Sequence, residues 1–223
     1  MSWGEVYKIN NNMKRAINEQ LRDMTCRPIR VITTTGTYTP ERTGLYKVIC
    51  VGEGGKGSHR ESSNGYSGGG GGGGGGVAIK TLRLSNTTNY NIEISTSVSF
   101  THDGNVMTAN KGGNASSASG GSGGTASGGD ENYTGANGGS TEDEYNFPIG
   151  GSVGVHIGEL SKTITGSAMV DTNTCMYTYG SSLLGYGGGG TGAGYWRTTS
   201  AYGGTDIYGL PGAVIIIPLE MEE

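Results

Sequence analysis

The sequence predicts a mostly β protein: a β-sandwich or jelly roll with inserted polyglycine-II-type helices, preceded by a short N-terminal α-helix. Three observations predict it. Glycine runs unbroken over residues 68–76. The run opens after Tyr46-Lys47-Val48-Ile49-Cys50-Val51 and closes on Val77-Ala78-Ile79-Lys80-Thr81-Leu82, both rich in strand-forming Val, Ile and Tyr. A helical period is confined to the first two dozen residues. A glycine linker has the same composition, but a linker rarely separates two strands of one core. Side-chain-free backbone can instead form helices of three residues per turn without internal hydrogen bonds. Such helices need neighbours for their N–H and C=O groups. A run of this length reaches about 28 Å, at roughly 3.1 Å per residue.

In chain order, the helix comes first. Val6, Ile9, Met13, Ile17, Leu21 and Met24 recur three or four residues apart and trace one face, while Lys8, Asn11, Asn12, Arg15, Glu19 and Asp23 lie opposite. Thr25 and Pro28 end it. This segment either docks on its own domain or forms a short coiled coil that trimerises the chain. Its position before an all-β chain favours the coiled coil. Residues 1–28 are therefore expected to be an attachment and trimerisation segment, and 29–223 a glycine-rich sandwich.

Residues 29–37 read as one strand through Val31-Ile32-Thr33-Thr34-Thr35, with Gly36 and Pro40 marking turns. Residues 44–51, 77–84 and 90–94 read as further strands. Residues 97–108 read as a hairpin turning at Asp103-Gly104. Residues 110–152 and 180–209 are glycine-dominated, with a short strand expected at 152–157. Residues 212–219 hold Ala213-Val214-Ile215-Ile216-Ile217, a continuous apolar run that belongs in the middle of a sandwich. The first and last strands are expected to close the same sheet region, with the glycine segments projecting from it.

Composition sets bounds on function. Glycine accounts for 46 of 223 residues, about three times the usual ~7 %. Without a Gly-X-Y period this is not collagen. The net charge of -4 is scattered, so nucleic-acid binding is not supported. No 18-residue apolar run spans a membrane, and no signal peptide is expected. Cys26, Cys50 and Cys175 match no metal or redox spacing. They read as free thiols, Cys50 buried in a strand, in a protein folded in a reducing cytosol.

The chemical motifs are weak. Gly-x-Ser-x-Gly occurs at residues 120–124 and 150–154, but not between a strand and a helix. The Gly52-x-Gly54-x-x-Gly57 pattern follows a strand, yet no helix follows to hold a pyrophosphate. His59, His102 and His156 are far apart, and Glu142-Asp143-Glu144 lacks the spacing of a calcium loop. No catalytic residue, metal or cofactor is expected.

Aromatic residues in the stretches between glycine segments give a better constellation. His59, Arg60 and Tyr66 lie in the first stretch and Tyr133 in the second. Tyr145 and Phe147 follow, then Tyr177 and Tyr179, then Tyr195, Trp196, Arg197 and Tyr202. If the glycine segments are rods, these stretches are loops at rod ends. Tyr, Trp and Arg supply most contact energy at interfaces, and Tyr/Ser/Gly/Asn loops on a rigid scaffold resemble a paratope. The same aromatics can instead turn inward to cap a small core.

The chain resembles the glycine-rich tail-fibre and receptor-binding proteins of bacteriophages and phage-tail-like bacteriocins. The resemblance rests on residues 44–57, the polyglycine run into Val77-Ala78-Ile79-Lys80-Thr81-Leu82, residues 187–194 and the closing strand. The opening Trp3-Gly4-Glu5-Val6-Tyr7-Lys8-Ile9-Asn10 resembles the start of fibre proteins in prophages of Gram-positive bacteria, where such a segment joins the tail. The resemblance implies a sandwich bearing polyglycine helices, often trimeric, whose variable loops bind the bacterial surface. It supplies no fixed binding residues. The expectation is a non-enzymatic adhesin at the tip of a phage or tailocin fibre, made in the bacterial cytoplasm. Its partners would be a cell-surface protein or glycan and, through the N-terminal helix, other fibre or baseplate proteins. A structural fibre spacer is the alternative. A surface-polysaccharide depolymerase would need paired carboxylates, with Glu142, Asp143 and Asp171 as candidates. An ice-binding bundle would need a flat regular face.

Overall fold

The structure, a computed structural model, describes residues 29–58, 66–140, 186, 187, 189, 194–196 and 208–222. These residues are mostly β, with no helix among them. The first sheet has the order β1 (Arg30–Ile32), β12 (Ala213–Met221), β3 (Gly44–Val51), β5 (Val77–Leu84), β10 (Glu131–Tyr133). The second has the order β2 (Gly36–Tyr38), β6 (Tyr90–Ile94), β7 (Ser97–His102), β8 (Asn105–Asn110), β9 (Ala126–Ser127). A separate two-stranded ribbon joins β4 (Tyr66–Gly68) to β11 (Gly194–Trp196). Every pairing is antiparallel.

The two large sheets pack face to face because alternate residues of each are apolar. Tyr46, Val48 and Cys50 of β3, Val214 and Ile216 of β12, and Ala78, Leu82 and Leu84 of β5 form one wall of the core. Tyr90, Ile92, Val98, Phe100, Met107 and Ala109 form the other. Tyr90 stacks on Phe100 with ring centroids 5.6 Å apart. Burying each large apolar side chain contributes about 1.5–3 kcal/mol. The outer face of the second sheet is polar, as Asn91, Glu93, Ser97, Ser99 and Thr101 alternate with the core residues.

The first sheet buries part of its other face as well. Ile49, Val51, Val77 and Ile215 form a second apolar cluster, packed by Ile79, Ile217, Tyr133 and Tyr186. This explains the unbroken apolar run of β12, which sits between β1 and β3 with both faces covered. The register shifts between Pro218 and Glu220, and a bulge is one of the few places a strand accepts proline.

β1 pairs with β12, Arg30 opposite Ile216, so the first and last described strands meet in one sheet. The hairpin turns at Asp103 (φ 48) and Gly104 (φ 75), the positive pair that an Asp-Gly turn favours. Cys50 is a free, buried thiol, and its burial pushes its pKa up to about 12. One strand assignment is corrected. Residues 29–37 are two strands in different sheets, because the chain leaves the first sheet after Ile32 and enters the second at Gly36. Gly36 is thus a strand residue rather than a turn. Lys80 explains the imperfect alternation of β5: it lies opposite Val48 in register and its ammonium is 3.7 Å from Asp130. The N-terminal helix and the strand expected at 152–157 lie outside the described residues.

Candidate functional site at the far end of the glycine segments

The glycine segments leave the sandwich where its strands end. β3 ends at Val51, β5 begins at Val77, β8 ends at Asn110 and β9 begins at Ala126. The adjoining segments 52–58, 69–76, 110–117, 119–125 and 134–140 lie side by side, joined by backbone hydrogen bonds. Residues 69–76 are buried among them.

These bonds recur every three residues. The N–H groups of Gly70, Gly73 and Gly76 donate to the carbonyls of Ser117, Gly113 and Asn110, at 2.7, 2.9 and 3.0 Å. Those of Gly71 and Gly74 donate to Gly139 and Ala136, both at 2.9 Å. In return, the carbonyls of Gly70, Gly73 and Gly76 accept from Ser58, Gly55 and Gly52. Those of Gly71 and Gly74 accept from Gly121 and Gly124. Gly75 donates to Gly187 at 2.7 Å. The central segment is thereby bonded on several sides, and these N–H and C=O groups find backbone partners in the neighbouring segments.

Close approach makes side chains impossible inside the bundle. A Cβ on Gly73 would overlap the carbonyl oxygen of Ser122, and one on Gly123 that of Gly135. Side chains appear only at the margins. Lys111 Nζ pairs with Glu53 Oε1 at 2.7 Å near the sandwich. Lys56 Nζ sits 4.1 Å from the ring centroid of Tyr208, a cation–π contact. The Lys56 N–H also donates to Asn114 Oδ1 at 2.9 Å.

The end away from the sandwich gathers several chain segments. Ser58, Gly70, Ser117 and Gly139 occupy the last rungs. Ser116 and Ser119 bond reciprocally, at 3.0 and 2.9 Å, around a tight turn in which Ser117 has φ 52. The Ser58 hydroxyl donates to the Ser117 carbonyl and accepts the N–H of Gly70 at 3.0 Å. Ser140 Oγ accepts the N–H of Gly120 at 2.9 Å. β4 directly precedes this end of the glycine run. Its register with β11 sets Tyr66 opposite Trp196, Ser67 opposite Tyr195 and Gly68 opposite Gly194.

Three of the sequence-predicted residues, Tyr66, Tyr195 and Trp196, therefore come together in the ribbon. Tyr133 does not join them. It lies in β10, opposite Val77, against the second apolar cluster. Its hydroxyl donates to Glu131 Oε2 at 2.5 Å, which raises its pKa. His59, Arg60, Tyr145, Phe147, Tyr177, Tyr179, Arg197 and Tyr202 lie outside the described residues, as do Glu142, Asp143 and Asp171. The Ser116–Ser119 turn and the Lys56–Tyr208 contact were passed over in the sequence. The signal for the turn was present: Ala115-Ser116-Ser117-Ala118-Ser119 interrupts two glycine segments. Among the described residues no three His, Cys, Asp or Glu side chains converge to hold a metal ion.

Fold and far end define a class: an all-β body carrying a glycine-built, backbone-bonded extension whose outer end displays turns and a short ribbon. A family model described as a glycine-rich domain matches residues 33–215. The chain belongs to this family of glycine-rich domains. No curated protein matches it.

Proposed function

We propose that the chain is a non-enzymatic receptor-binding adhesin at the tip of a phage or tailocin tail fibre. In this reading the glycine segments are polyglycine-II-type helices. The three-residue interval of their hydrogen bonds supports that assignment, since such helices have three residues per turn. From Gly76 to Gly70 the bundle then carries the chain roughly 19 Å beyond the sandwich. The jelly-roll form of the sandwich belongs to the same proposal. So do trimerisation and fibre or baseplate attachment through residues 1–28.

The observation that carries the reading is the convergence of the Ser116–Ser119 turn and the aromatic β4–β11 ribbon at the end remote from the sandwich. A bundle cross-bonded through its backbone holds these segments in fixed relation. Pre-ordering lowers the entropy cost of binding, and several copies would add avidity on a repetitive cell surface. Adsorption of labelled protein to a panel of bacterial strains tests the proposal. Strain-selective adsorption is expected. Uniform absence of adsorption across a broad panel would replace the adhesin by a structural spacer.

A further inference from the structure

We infer that the outer face of the first sheet is the surface on which copies of this chain meet. The inference goes beyond the adhesin reading and rests on its trimer. It starts from the two faces of that sheet. One packs on the second sheet. On the other, Tyr133 and Tyr186 pack against Ile49, Val51, Val77 and Ile215. Register places further aliphatic residues on this outer face, since residues directly opposite in an antiparallel pair share one side. Val31 lies opposite Ile215, Ile217 opposite Lys47, and Leu45 opposite Arg83. Ile29 precedes Val31 by two residues, the spacing that keeps one face along an extended chain. Leu219 is the extra residue where the register shifts beside Leu45.

These side chains form an open aliphatic patch. Ile29, Val31 and Leu219 are 50, 37 and 38 % exposed, and Leu45 and Ile217 are half-buried. An antiparallel sheet with one solvated face alternates apolar in and polar out. The second sheet does so through Asn91, Glu93, Ser97, Ser99 and Thr101. The first does not: β12 stays apolar from Ala213 to Ile217 and adds Leu219. A contiguous exposed apolar patch marks a protein contact. Farther across the sheet, Thr81 and Arg83 of β5 are exposed. The patch is thus centred on β1, β12 and β3, the side on which the chain enters at Ile29. Lys47 opposite Ile217 and Glu220 opposite Leu45 carry opposite charges, so two copies can meet without opposing like charges.

The position of the patch selects a second copy as its occupant. In the proposed trimer the apolar stripe of residues 1–28, which ends at Met24, faces the coil seam rather than the sheet. Only residues 25–28 separate Met24 from Ile29, a reach of at most about 18 Å for a fully extended chain. The coil therefore holds the β1 edge of each copy, and the patch beside it, close to its neighbours. β12 runs from Ala213 beside Val51, at the bundle, to Met221 beside Gly44. Leu219 and Leu45 thus lie in the half of the sheet away from the bundle. Copies joined there leave their glycine bundles free, and a parallel coil turns all three toward one surface.

The test is the mass of the full chain in solution, followed by sedimentation equilibrium over a dilution series. The wild type should be a trimer. Val31→Glu and Leu219→Glu each put a carboxylate into the patch and should raise the concentration at which the trimer dissociates by at least about tenfold. Val106→Glu is the control. Val106 is 49 % exposed on the second sheet, and its substitution should leave that concentration unchanged. Circular dichroism checks that each variant folds. Should a Glu variant unfold, Val31→Thr and Leu219→Asn, which add no charge, decide by the same shift in smaller measure. Dissociation at the wild-type concentration in both patch variants overturns the surface and leaves the coil to hold the trimer alone. An unchanged mass with a lowered unfolding midpoint shows the patch covered by the chain's own residues and also overturns it. A monomeric wild type removes the trimer and the surface together, while strain-selective adsorption still decides the adhesin.

Discussion

The sandwich and the glycine bundle hold together by opposite means. In the sandwich, side chains stabilise: Phe100, Leu84, Ile216 and Val48 are fully buried, and their apolar area leaves water. In the bundle, side chains are excluded and the backbone supplies the contacts. Each net hydrogen bond contributes only about 0.5–1.5 kcal/mol, while glycine loses more conformational freedom on ordering than any other residue. The bundle therefore depends on having nearly every rung made. A sandwich can lose a methyl group and relax, whereas a bundle whose backbones touch has nothing flexible to move aside.

The largest expected effect tests that rigidity. Gly73→Ala places a methyl group inside the Ser122 carbonyl. It should displace segment 119–125 from segment 69–76 and abolish amide-exchange protection throughout the bundle, a loss of about 4 kcal/mol or more. Gly36→Ala is the matched control: its added Cβ meets nothing within 4 Å, and its cost should stay within about 0.5 kcal/mol. Hydrogen exchange on both variants measures the contrast. Equal protection in the two would show that the bundle can relax as a side-chain core does.

This contrast also governs what the sequence revealed. Strands β3, β5, β7, β8 and β12 were legible because apolar alternation, or a doubly buried apolar run, is a direct image of side-chain packing. The Asp103-Gly104 turn was legible because its two positive φ values need those residue types. The crossing from β1 to β2 was not legible, since Thr33, Thr34 and Thr35 suit a strand and nothing in them says that the sheet changes. The bundle was legible as glycine but not as a set of partners. A segment without side chains carries no code for its neighbour, so the pairing of 69–76 with 110–117 and 134–140 could not be read. For the same reason Tyr66 and Trp196 gave no hint of being opposite one another, and Tyr133 gave none of lying at the sandwich end.

Alkaline pH should separate the regions next. Burial raises the Cys50 pKa from 9.0 to about 12. Burial, with a smaller contribution from Tyr46, raises that of Tyr38 from 10.0 to about 12. Each group binds its proton more tightly when folded, so its contribution is whole below the unfolded pKa and is lost as pH climbs through the folded one. Sandwich stability should fall between about pH 9 and 12. Backbone amide rungs do not titrate in that way. Denaturant midpoints at pH 7, 9 and 11 measure the slope, and Cys50→Ala and Tyr38→Phe should each reduce it. A slope indifferent to both would place the alkaline sensitivity elsewhere.

The smallest effect sharpens the comparison most, because it asks whether the two regions open together. Ser117 holds φ 52 in the turn that joins segments 110–117 and 119–125. A left-handed backbone costs an L-residue roughly 1–2 kcal/mol, and glycine relieves that cost while adding unfolded-state entropy. Ser117→Gly should therefore stabilise by somewhat less than about 1 kcal/mol. If the bundle opens independently, the gain appears only as slower exchange at amides of residues 113–121, with the sandwich midpoint unchanged. If bundle and sandwich form one cooperative unit, the global midpoint rises by the same amount. The second outcome has a physical route. β3 runs into segment 52–58 and β5 emerges from segment 69–76 without a break, so Val51 and Val77 pair in the sheet one residue away from the first bundle rung, Gly52 to Gly76. A ladder that continues from sheet into bundle gives opening no natural place to stop, and the Ser117 variant would then be felt at Phe100.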